Sequence, residues 1–537
     1  STGTLTGSGS GELLLGINAA NNVSVNNVVL AQLIGTGSAT GRLQMRGGTF
    51  AVTGSVTDGG GASTLQVDGG TMTIANGLQV DNLRVAFDGT SANLTVSGGD
   101  VAIGTGTESF NIGSRSAVTT GTTTGIVDFS AAASVNINVA QLGLAQIPGG
   151  SGATAGTLIL PTTGSASISA TVISLGDIPS ASGSGSAYLQ LGGGVTDIAV
   201  DDFYVGYRKK SAEVTIQPGG VLNIAGRSGT DANLYVGYNA VHTIGDTTGT
   251  MDLAGSTFNA VLNNLIVGYH TRLSNGGGSG TGVLTFDAGE ISANSMVIGS
   301  GSTTYDGKGV GTINMNGGSL TAGGITLGAG NSNTRGTFNL AGGTLSAGSI
   351  VRGVAGSTNA FNFTGGTLHV DQFGSAALPF DLVQQGGTLA PGRSIGTTAI
   401  YGNYTQAAAG TLEIEIAGLA SFDLVAVSGD ALLSGSLNVL LLDSYTAALG
   451  DYFDILTTTG DLTVEFASIT GDTPNPVFGW WETSVIEGVD GFTLRLSAVP
   501  EPGSAMLVLL GIAILMGRRR RQGRVARGGA VAVVQQG

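Results

Sequence analysis

A short strand pattern that ends in glycine recurs along the chain. Before each of these glycines, two apolar positions flank one variable position, and this alternation is typical of a β-strand with one buried face. The glycines are Gly113, Gly143, Gly176, Gly206, Gly237, Gly268, Gly299 and Gly328. They are 30, 33, 30, 31, 31, 31 and 29 residues apart. The spacing predicts a repeating unit of about 31 residues.

A second pattern precedes the first in several units and predicts further strands. It is an alternating run, a Gly-Gly corner and another apolar run, as in Ile313–Leu320 and Phe338–Leu345. Each unit then has three short strands and a variable loop, which cannot enclose a core until units stack. We therefore predict an all-β fold, a right-handed parallel β-helix with one unit per coil and glycines supplying positive φ at corners. A β-propeller is the alternative, but its blades need about 40 residues or more.

Stacked coils place equivalent apolar residues one above another inside the helix. One predicted interior column is Phe203, Leu234, Leu265, Met296 and Ile325. A second is Val205, Val236, Val267, Ile298 and Leu327.

The repeat becomes less regular toward each end of the chain, and this predicts a division of the chain into segments. The predicted segments are less regular coils at 1–100, the regular β-helix at 101–396, a C-terminal β cap at 397–498, a sorting segment at 499–521 and a disordered tail at 522–537.

The composition narrows the classes of function. The chain has 95 glycines in 537 residues, only 10% charged residues and a net charge of −15. Nucleic acid is excluded as a partner, because phosphate binding needs a basic surface. The absence of cysteine excludes disulfides, thiol nucleophiles and iron–sulfur clusters.

A different signature follows Gly353, where the spacing shortens. Its segments are Gly386–Gly396, Tyr401–Gln406, Thr411–Gly418, Phe422–Asp430, Gly435–Val439 and Tyr452–Leu456. In this order they resemble the end of autotransporter passenger domains and the autotransporter-associated β-strand repeats. The resemblance implies a β-helix that closes in a β-sandwich-like cap. No β-barrel pattern follows, so we expect no self-translocation.

The C-terminal segment combines three features. Val499-Pro500-Glu501-Pro502 precedes an apolar stretch, Ala505–Met516, and then the block Arg518-Arg519-Arg520-Arg521. The stretch predicts a short apolar helix, although a full membrane span needs about 20 residues. The arginines predict a membrane stop on the cytoplasmic side.

The order of motif, apolar stretch and arginine block resembles the PEP-CTERM sorting signal of Gram-negative bacteria. The resemblance implies recognition by exosortase, a membrane-embedded protease, after transient anchoring in the inner membrane. It also implies delivery to the cell surface or an exopolysaccharide matrix. The tail Gln522–Gly537 departs from the family pattern, whose chains usually end soon after the basic block.

Candidate catalytic residues are few. The densest charged cluster is Asp201, Asp202, Arg208, Lys209 and Lys210. We interpret it as a solvated face beside the Phe203–Gly206 strand, because glycoside hydrolysis needs two carboxylates across one cleft and none recur on neighbouring coils. We therefore predict no catalytic residue and no enzymatic activity.

Metal and cofactor sites are not expected either. His242, His270 and His369 stand at different offsets in their units, so we predict loop residues rather than stacked ligands. Asp177, Asp246 and Asp306 are also predicted in loops, and weak calcium binding stays open as an alternative.

Three tyrosines occupy the same offset in consecutive coils. Tyr207, Tyr238 and Tyr269 each follow the strand-ending glycine. Such a ladder usually stabilises the stacking of coils. The second interpretation is that these rings face solvent and stack against sugar rings.

Together these features predict a non-enzymatic, exported structural or adhesive protein of the cell surface or of a biofilm matrix. Exosortase, the inner membrane and exopolysaccharide are the expected partners. Two alternatives remain at this point: a β-helix enzyme that degrades polysaccharide, and an adhesin that binds a specific glycan.

Overall fold

The computed structural model describes residues 9–16, 22–33, 37–116, 121–147, 152–178, 183–208, 211–240, 245–271, 278–303, 307–474 and 479–500. Within these ranges the chain forms parallel strands almost throughout, with one short 3-10 helix at Arg227–Gly229. The fold is an all-β parallel β-solenoid of about 15 turns, about 29 residues apart. The predicted β-helix is therefore confirmed.

The strands are numbered in chain order. The first fifteen are β1 (Gly9–Leu15), β2 (Asn22–Val25), β3 (Val28–Leu30), β4 (Ala39–Met45), β5 (Thr49–Val52), β6 (Val56–Asp58), β7 (Ala62–Val67), β8 (Gly70–Ile74), β9 (Leu78–Val80), β10 (Asn82–Phe87), β11 (Ser91–Val96), β12 (Asp100–Ile103), β13 (Ser109–Ser114), β14 (Thr122–Asp128) and β15 (Ser134–Gln146). The next fifteen are β16 (Gly152–Ile159), β17 (Ser165–Asp177), β18 (Gly183–Leu191), β19 (Val195–Tyr207), β20 (Ser211–Ile216), β21 (Val221–Ala225), β22 (Ala232–Asn239), β23 (Thr247–Asp252), β24 (Thr257–His270), β25 (Ser279–Phe286), β26 (Glu290–Gly301), β27 (Lys308–Met315), β28 (Ser319–Ala322), β29 (Ile325–Ala329) and β30 (Arg335–Leu340). The last fifteen are β31 (Thr344–Arg352), β32 (Ala360–Phe363), β33 (Thr367–Phe373), β34 (Leu382–Pro391), β35 (Thr397–Ile400), β36 (Tyr404–Gly418), β37 (Ser421–Phe422), β38 (Leu424–Val427), β39 (Ala431–Leu433), β40 (Ser436–Leu441), β41 (Tyr452–Thr458), β42 (Leu462–Val464), β43 (Ser468–Gly471), β44 (Gly479–Gly488) and β45 (Gly491–Pro500).

The strands stack into three faces. Face 1 is the stack of strands that carry the recurring glycine, such as β22 and β29. Face 2 is the stack that contains β27, and face 3 is the stack that contains β28. One coil therefore runs from face 2 to face 3 to face 1 and then through a loop to the next coil. In several coils the strands of faces 3 and 1 join into one long strand. β24 is an example, because it pairs with β21 on face 3 and with β22 on face 1.

The interior columns lie where the alternation predicts them. Leu234 pairs with Phe203 on one side and Leu265 on the other, and the same register continues through Met296 to Ile325. Val236 and Val267 are partners in adjacent coils. All of these side chains are buried, so stacking of apolar side chains is the main source of the core.

Glycines from two faces meet along one line, which we call the glycine seam. The strand-ending glycines of face 1 adopt positive φ, as Gly268 does at +75°. Gly143 is an exception to the prediction, because it pairs with Asn111, and Ala145 with φ +56° takes the position expected of it. A Cβ added to Gly268 would overlap the carbonyl oxygen of Val310, and one added to Gly282 would overlap the amide nitrogen of Gly268. The members of the seam are Gly206, Gly237, Gly268, Gly299 and Gly328 from face 1 and Gly249, Gly282, Gly311 and Gly336 from face 2. The two faces therefore approach each other closely enough that backbone packs on backbone.

The solenoid ends in a hairpin. Parallel pairing continues across residue 397, the predicted start of the cap, as far as the pairing of β40 with β43. The final strands change direction, since β45 pairs antiparallel with both β41 and β44. Trp481 fixes this hairpin because its ring is buried and its indole N–H donates to the carbonyl oxygen of Asp472 at 2.7 Å.

The predicted helix at Ala505–Met516 and the predicted tail at 522–537 lie outside the described residues. Within the described ranges there is no helix of the length and hydropathy required to cross a membrane.

Candidate functional sites

Five tyrosines cluster on the outside of face 1. The pairing of β19 with β22 and β24 brings together the three predicted residues, Tyr207, Tyr238 and Tyr269. The structure adds Tyr204 and Tyr235, which pair with each other two positions before the glycine. The sequence alternation already placed these two side chains outward, but their proximity to the other three was not predicted. The positive φ of the intervening glycine turns both sets of rings toward the same side.

The rings of this tyrosine cluster stack mainly on one another. The Tyr204 ring lies 4.2 Å from that of Tyr207 and 4.5 Å from that of Tyr235, both nearly parallel to it. Tyr238 stacks on Tyr269 at 4.4 Å, and the Arg208 guanidinium lies 4.3 Å from the centre of the Tyr207 ring. Stacked pairs and cation–π contacts stabilise neighbouring coils. Because the rings are half-buried and cover one another, little free ring face remains for a sugar.

The hydroxyls of Tyr204 and Tyr238 remain neutral over the physiological range. Burial raises the pKa of Tyr204 and Tyr238 well above the usual value, and the negative charge of Asp202 raises that of Tyr204 further. A neutral phenol can donate or accept a hydrogen bond, but it is not a base. The cluster therefore has the properties of a structural contact between neighbouring coils.

The charged residues near this cluster form pairs instead of lining a cleft. Arg208 Nε lies 2.8 Å from Asp177 Oδ1, and Arg208 Nη2 donates to Asp177 Oδ2 at 2.8 Å. Asp202 Oδ1 accepts a hydrogen bond from the Asn233 carboxamide at 3.0 Å. Asp201 lies beside Asp202 in β19, whereas Lys209 and Lys210 lie outside the described residues.

The prediction that Asp177 lies in a loop was wrong. Asp177 is the last residue of β17, because the long strand continues past its glycine and pairs with Tyr207. Burial raises the pKa of Asp177, and Arg208 opposes this effect. Asp246 lies outside the strands and accepts a hydrogen bond from the Ser279 hydroxyl at 2.8 Å. Asp306 is outside the described residues.

The histidines were also predicted in loops, and for two of them this was wrong. His270 ends β24 and is buried, and its Nδ1 accepts a hydrogen bond from the backbone N–H of Lys308 at 3.0 Å. His369 lies within β33 on face 3. His242 lies outside the described residues. In the described part of the chain no three histidine or acidic side chains are grouped to hold a metal ion.

Asp423 is a buried carboxylate near the turn that joins β34 to β35. Its Oδ1 accepts a hydrogen bond from the Gly396 N–H at 2.7 Å, and its Oδ2 accepts one from the Glu415 N–H at 2.9 Å. Burial raises the pKa of Asp423 to about 7, although these hydrogen bonds oppose the rise. Both oxygens are engaged with backbone, so Asp423 connects a turn to a strand and has no access to substrate.

A groove of about 790 Å³ runs along face 3. Its floor is apolar and includes Val261, which is 49% exposed, together with Ala199 and Ala225. One wall is a ladder of polar side chains, in which Asn223 donates to Asp197 at 2.7 Å and the Asn259 carboxamide donates to Asn223 at 2.9 Å. Each carboxamide uses one of its two N–H donors in the ladder, so the second is available to a ligand.

The acidic groups of this face 3 groove are far apart. Asp197 and Glu290 stand at opposite ends of the ladder, and the Glu290 N–H donates to the Asn259 side chain at 3.0 Å. Three coil spacings separate the two carboxylates, or roughly 14 Å. Glycosidases hold their two carboxylates about 5 to 9.5 Å apart. This pair of acids therefore does not have the separation that hydrolysis needs.

The predicted sorting motif begins inside the last strand. Val499 and Pro500 are the final two residues of β45, with Val499 half-buried and Pro500 exposed. Glu501, Pro502 and the arginines Arg518, Arg519, Arg520 and Arg521 lie outside the described residues.

Comparison with known proteins agrees with the C-terminal features. The protein is a repetitive β-solenoid joined to a C-terminal sorting segment. Residues 498–521 match the family model for the PEP-CTERM protein-sorting motif. That motif is recognised by exosortase, a membrane protease, and it implies exosortase-dependent export to the cell surface or extracellular space. No curated protein matches the chain.

Proposed function

We propose that this chain is a non-enzymatic structural rod of the cell surface or extracellular matrix. The observation that carries the proposal is the direct connection of an unbroken β-solenoid to a PEP-CTERM motif at the end of β45. About 15 turns at roughly 4.8 Å each correspond to a rod of about 70 Å. Such a rod separates the membrane-proximal end from the first coils and presents a long surface between them.

The absence of catalysis is part of the proposal. Arg208 and Asp177 are paired with each other, Asp202 is bonded to a carboxamide, and both oxygens of Asp423 bind backbone. A lyase or hydrolase needs a base or acid that faces substrate across a cleft. These side chains are instead used in holding coils together.

We further propose that the rod contacts exopolysaccharide through the face 3 groove. Its apolar floor suits the C–H faces of sugar rings, and its two carboxamides, Asn223 and Asn259, stand on adjacent coils. The net charge of −15 and the acids at both ends of the ladder oppose a strongly acidic polymer. A neutral linear polysaccharide fits these features best.

Cell fractionation tests the location and the processing. Cells with and without the exosortase gene are separated into membrane, matrix and medium, and the mass of the protein in each fraction is measured. We expect protein that lacks residues after the motif in the matrix or medium, and uncleaved protein in the membranes of cells without exosortase. Released protein that still carries residues 503–537 contradicts the sorting proposal.

The groove also favours a second candidate, an adhesin with a defined glycan ligand. Binding of neutral and acidic oligosaccharides is compared for the wild type and for Asn223→Ala with Asn259→Ala. Selective binding of one neutral glycan that the double variant loses supports the adhesin. Equal, weak retention of all neutral polymers supports the structural matrix role.

A further inference from the structure

The last strand of the solenoid and the sorting motif share residues. The family match begins at residue 498, whereas β45 extends to Pro500. Ala498, Val499 and Pro500 therefore belong both to a folded strand and to the segment that exosortase recognises. The hairpin needs the backbone groups of these residues to be paired, whereas recognition by a protease needs them to be accessible.

All three residues pair with β44, and Ala498 is also held on its opposite edge. Toward β44, Trp481 pairs with Ala498, Trp480 with Val499 and Gly479 with Pro500. On the opposite edge, the Ala498 N–H donates to the Asp451 carbonyl at 2.9 Å and the Ala498 carbonyl accepts from the Gly450 N–H at 2.8 Å. Ala498 is only 1% exposed. Its backbone therefore has no edge free for another chain.

Trp481 fixes this end of the hairpin to the last coil. Its side chain is 4% exposed, and its ring lies edge-on to the Phe453 ring with 6.1 Å between centres. The hydrogen bond from its indole to Asp472 adds a polar contact to the preceding coil. Opening the end of the hairpin requires these contacts to break.

The space between the folded end and the apolar segment is short. Five Cα steps connect Pro500 to Ala505, so at most about 18 Å separate them even in a fully extended chain. A membrane-embedded protease must reach the motif within that distance. Recognition of an extended segment commonly uses backbone hydrogen bonds along a free strand edge, and the paired hairpin leaves none at residue 498.

We propose that the folded end hairpin, β44 with β45, withholds the sorting motif from exosortase, and that processing acts on chains in which residues 498–500 have separated from β44. The proposal rests on the proposed exosortase-dependent sorting. Folding of the last hairpin and cleavage then compete for the same residues. A chain that completes the hairpin first is processed only as fast as its end opens.

A reversible cross-link tests the proposal. The natural chain has no cysteine, so Trp480→Cys with Val499→Cys places a single pair of thiols across the end of the hairpin. The full-length double variant is incubated with exosortase-containing membranes, once oxidised and once reduced, and cleavage is followed by mass. We expect the oxidised protein to lose processing and the reduced protein to be cleaved.

An insertion supplies an independent second test. Six Gly and Ser residues between Ala498 and Val499 keep residues 499–521 of the match contiguous and release them from the hairpin, so we expect faster cleavage than in the wild type. The matched control is the same insertion between Val489 and Asp490, in the turn of the hairpin, which leaves the motif paired. We expect this control to be cleaved at the wild-type rate.

The outcomes separate the proposal from the sorting assignment. Equal cleavage of the oxidised and reduced cross-link variants, or equal acceleration by both insertions, overturns the hairpin proposal and leaves sorting intact. Failure of exosortase membranes to cleave any of these chains, wild type included, overturns both.

Discussion

Replacement of Gly268 by alanine tests the glycine seam directly. At φ +75° an alanine is in the left-handed conformation, which costs about 1–2 kcal/mol. Alanine also has less conformational entropy than glycine in the unfolded chain, and this offsets about 0.4–1 kcal/mol of the cost. The added Cβ also overlaps the carbonyl oxygen of Val310, so the two faces must move apart. Overpacking of this kind costs about 1–3 kcal/mol more. We expect a total loss of roughly 2–4 kcal/mol.

Gly229→Ala is the matched control for this prediction. Gly229 also has positive φ, at +79°, but an added Cβ would meet nothing within 4 Å. Only the conformational terms apply there, so we expect a loss of about 1 kcal/mol or less. The comparison between the two variants isolates the contact across the seam.

Hydrogen exchange is the suitable assay for this pair. Both tryptophans, Trp480 and Trp481, lie at the C-terminal end, so their fluorescence does not report on the middle coils. A solenoid can also open one coil at a time, which makes a single unfolding free energy ambiguous. We expect Gly268→Ala to reduce protection of β24 and β27 selectively. Equal loss of protection around both substituted glycines would refute the seam as a packing contact.

Four further predictions follow from the same structure. Because the pKa of Asp423 is about 7 in the fold and near 3.8 when unfolded, its protonation stabilises the fold. We expect stability to fall as pH rises from 4 to 7, by roughly 4 kcal/mol at most. Hydrogen-exchange protection of β36 and β38, corrected for the intrinsic exchange rate at each pH, should show a smaller dependence in Asp423→Asn. Leu265→Ala should cost about 2–5 kcal/mol, against well under 1 kcal/mol for Val261→Ala on the exposed groove floor, as measured by hydrogen exchange of their coils. Tyr238→Ala should reduce hydrogen-exchange protection of β22 and β24 without changing retention on a neutral polysaccharide column. A loss of retention would instead indicate that the tyrosines bind sugar. The protein should not cleave neutral or acidic polysaccharides, and activity that disappears in Asp202→Ala would contradict the non-enzymatic proposal.

The repeat predicts the core well because each coil presents the same alternation. Leu234 and Leu265 occupy equivalent positions about one unit apart, and stacking equivalent positions follows from that spacing alone. The face 1 glycines are recognisable because each ends an apolar run. Gly282 and its partners on face 2 are not, since their role depends on how close a second face comes.

The errors at Asp177 and His270 have a common physical origin, which does not extend to His369 inside β33. Asp177 and His270 follow a strand-ending glycine, which suggests the start of a loop, yet both residues continue the strand. The glycine reorients the chain without ending the pairing, so residues beyond it still have partners in adjacent coils. The clustering of Tyr204 with Tyr207 has the same cause. Spacing along the sequence does not contain this information, because it depends on the backbone dihedrals at one position.

The glycine seam also makes neighbouring coils interchangeable. Contacts across it involve backbone atoms, so one coil fits against another without matched side chains at that line. A coil added to or removed from the middle would change the rod by about 4.8 Å and leave both ends as they are. The length of the rod is therefore set by the number of coils, independently of the outward side chains and of the C-terminal hairpin. Such a protein can change its length in regular steps while it keeps the same C-terminal sorting motif.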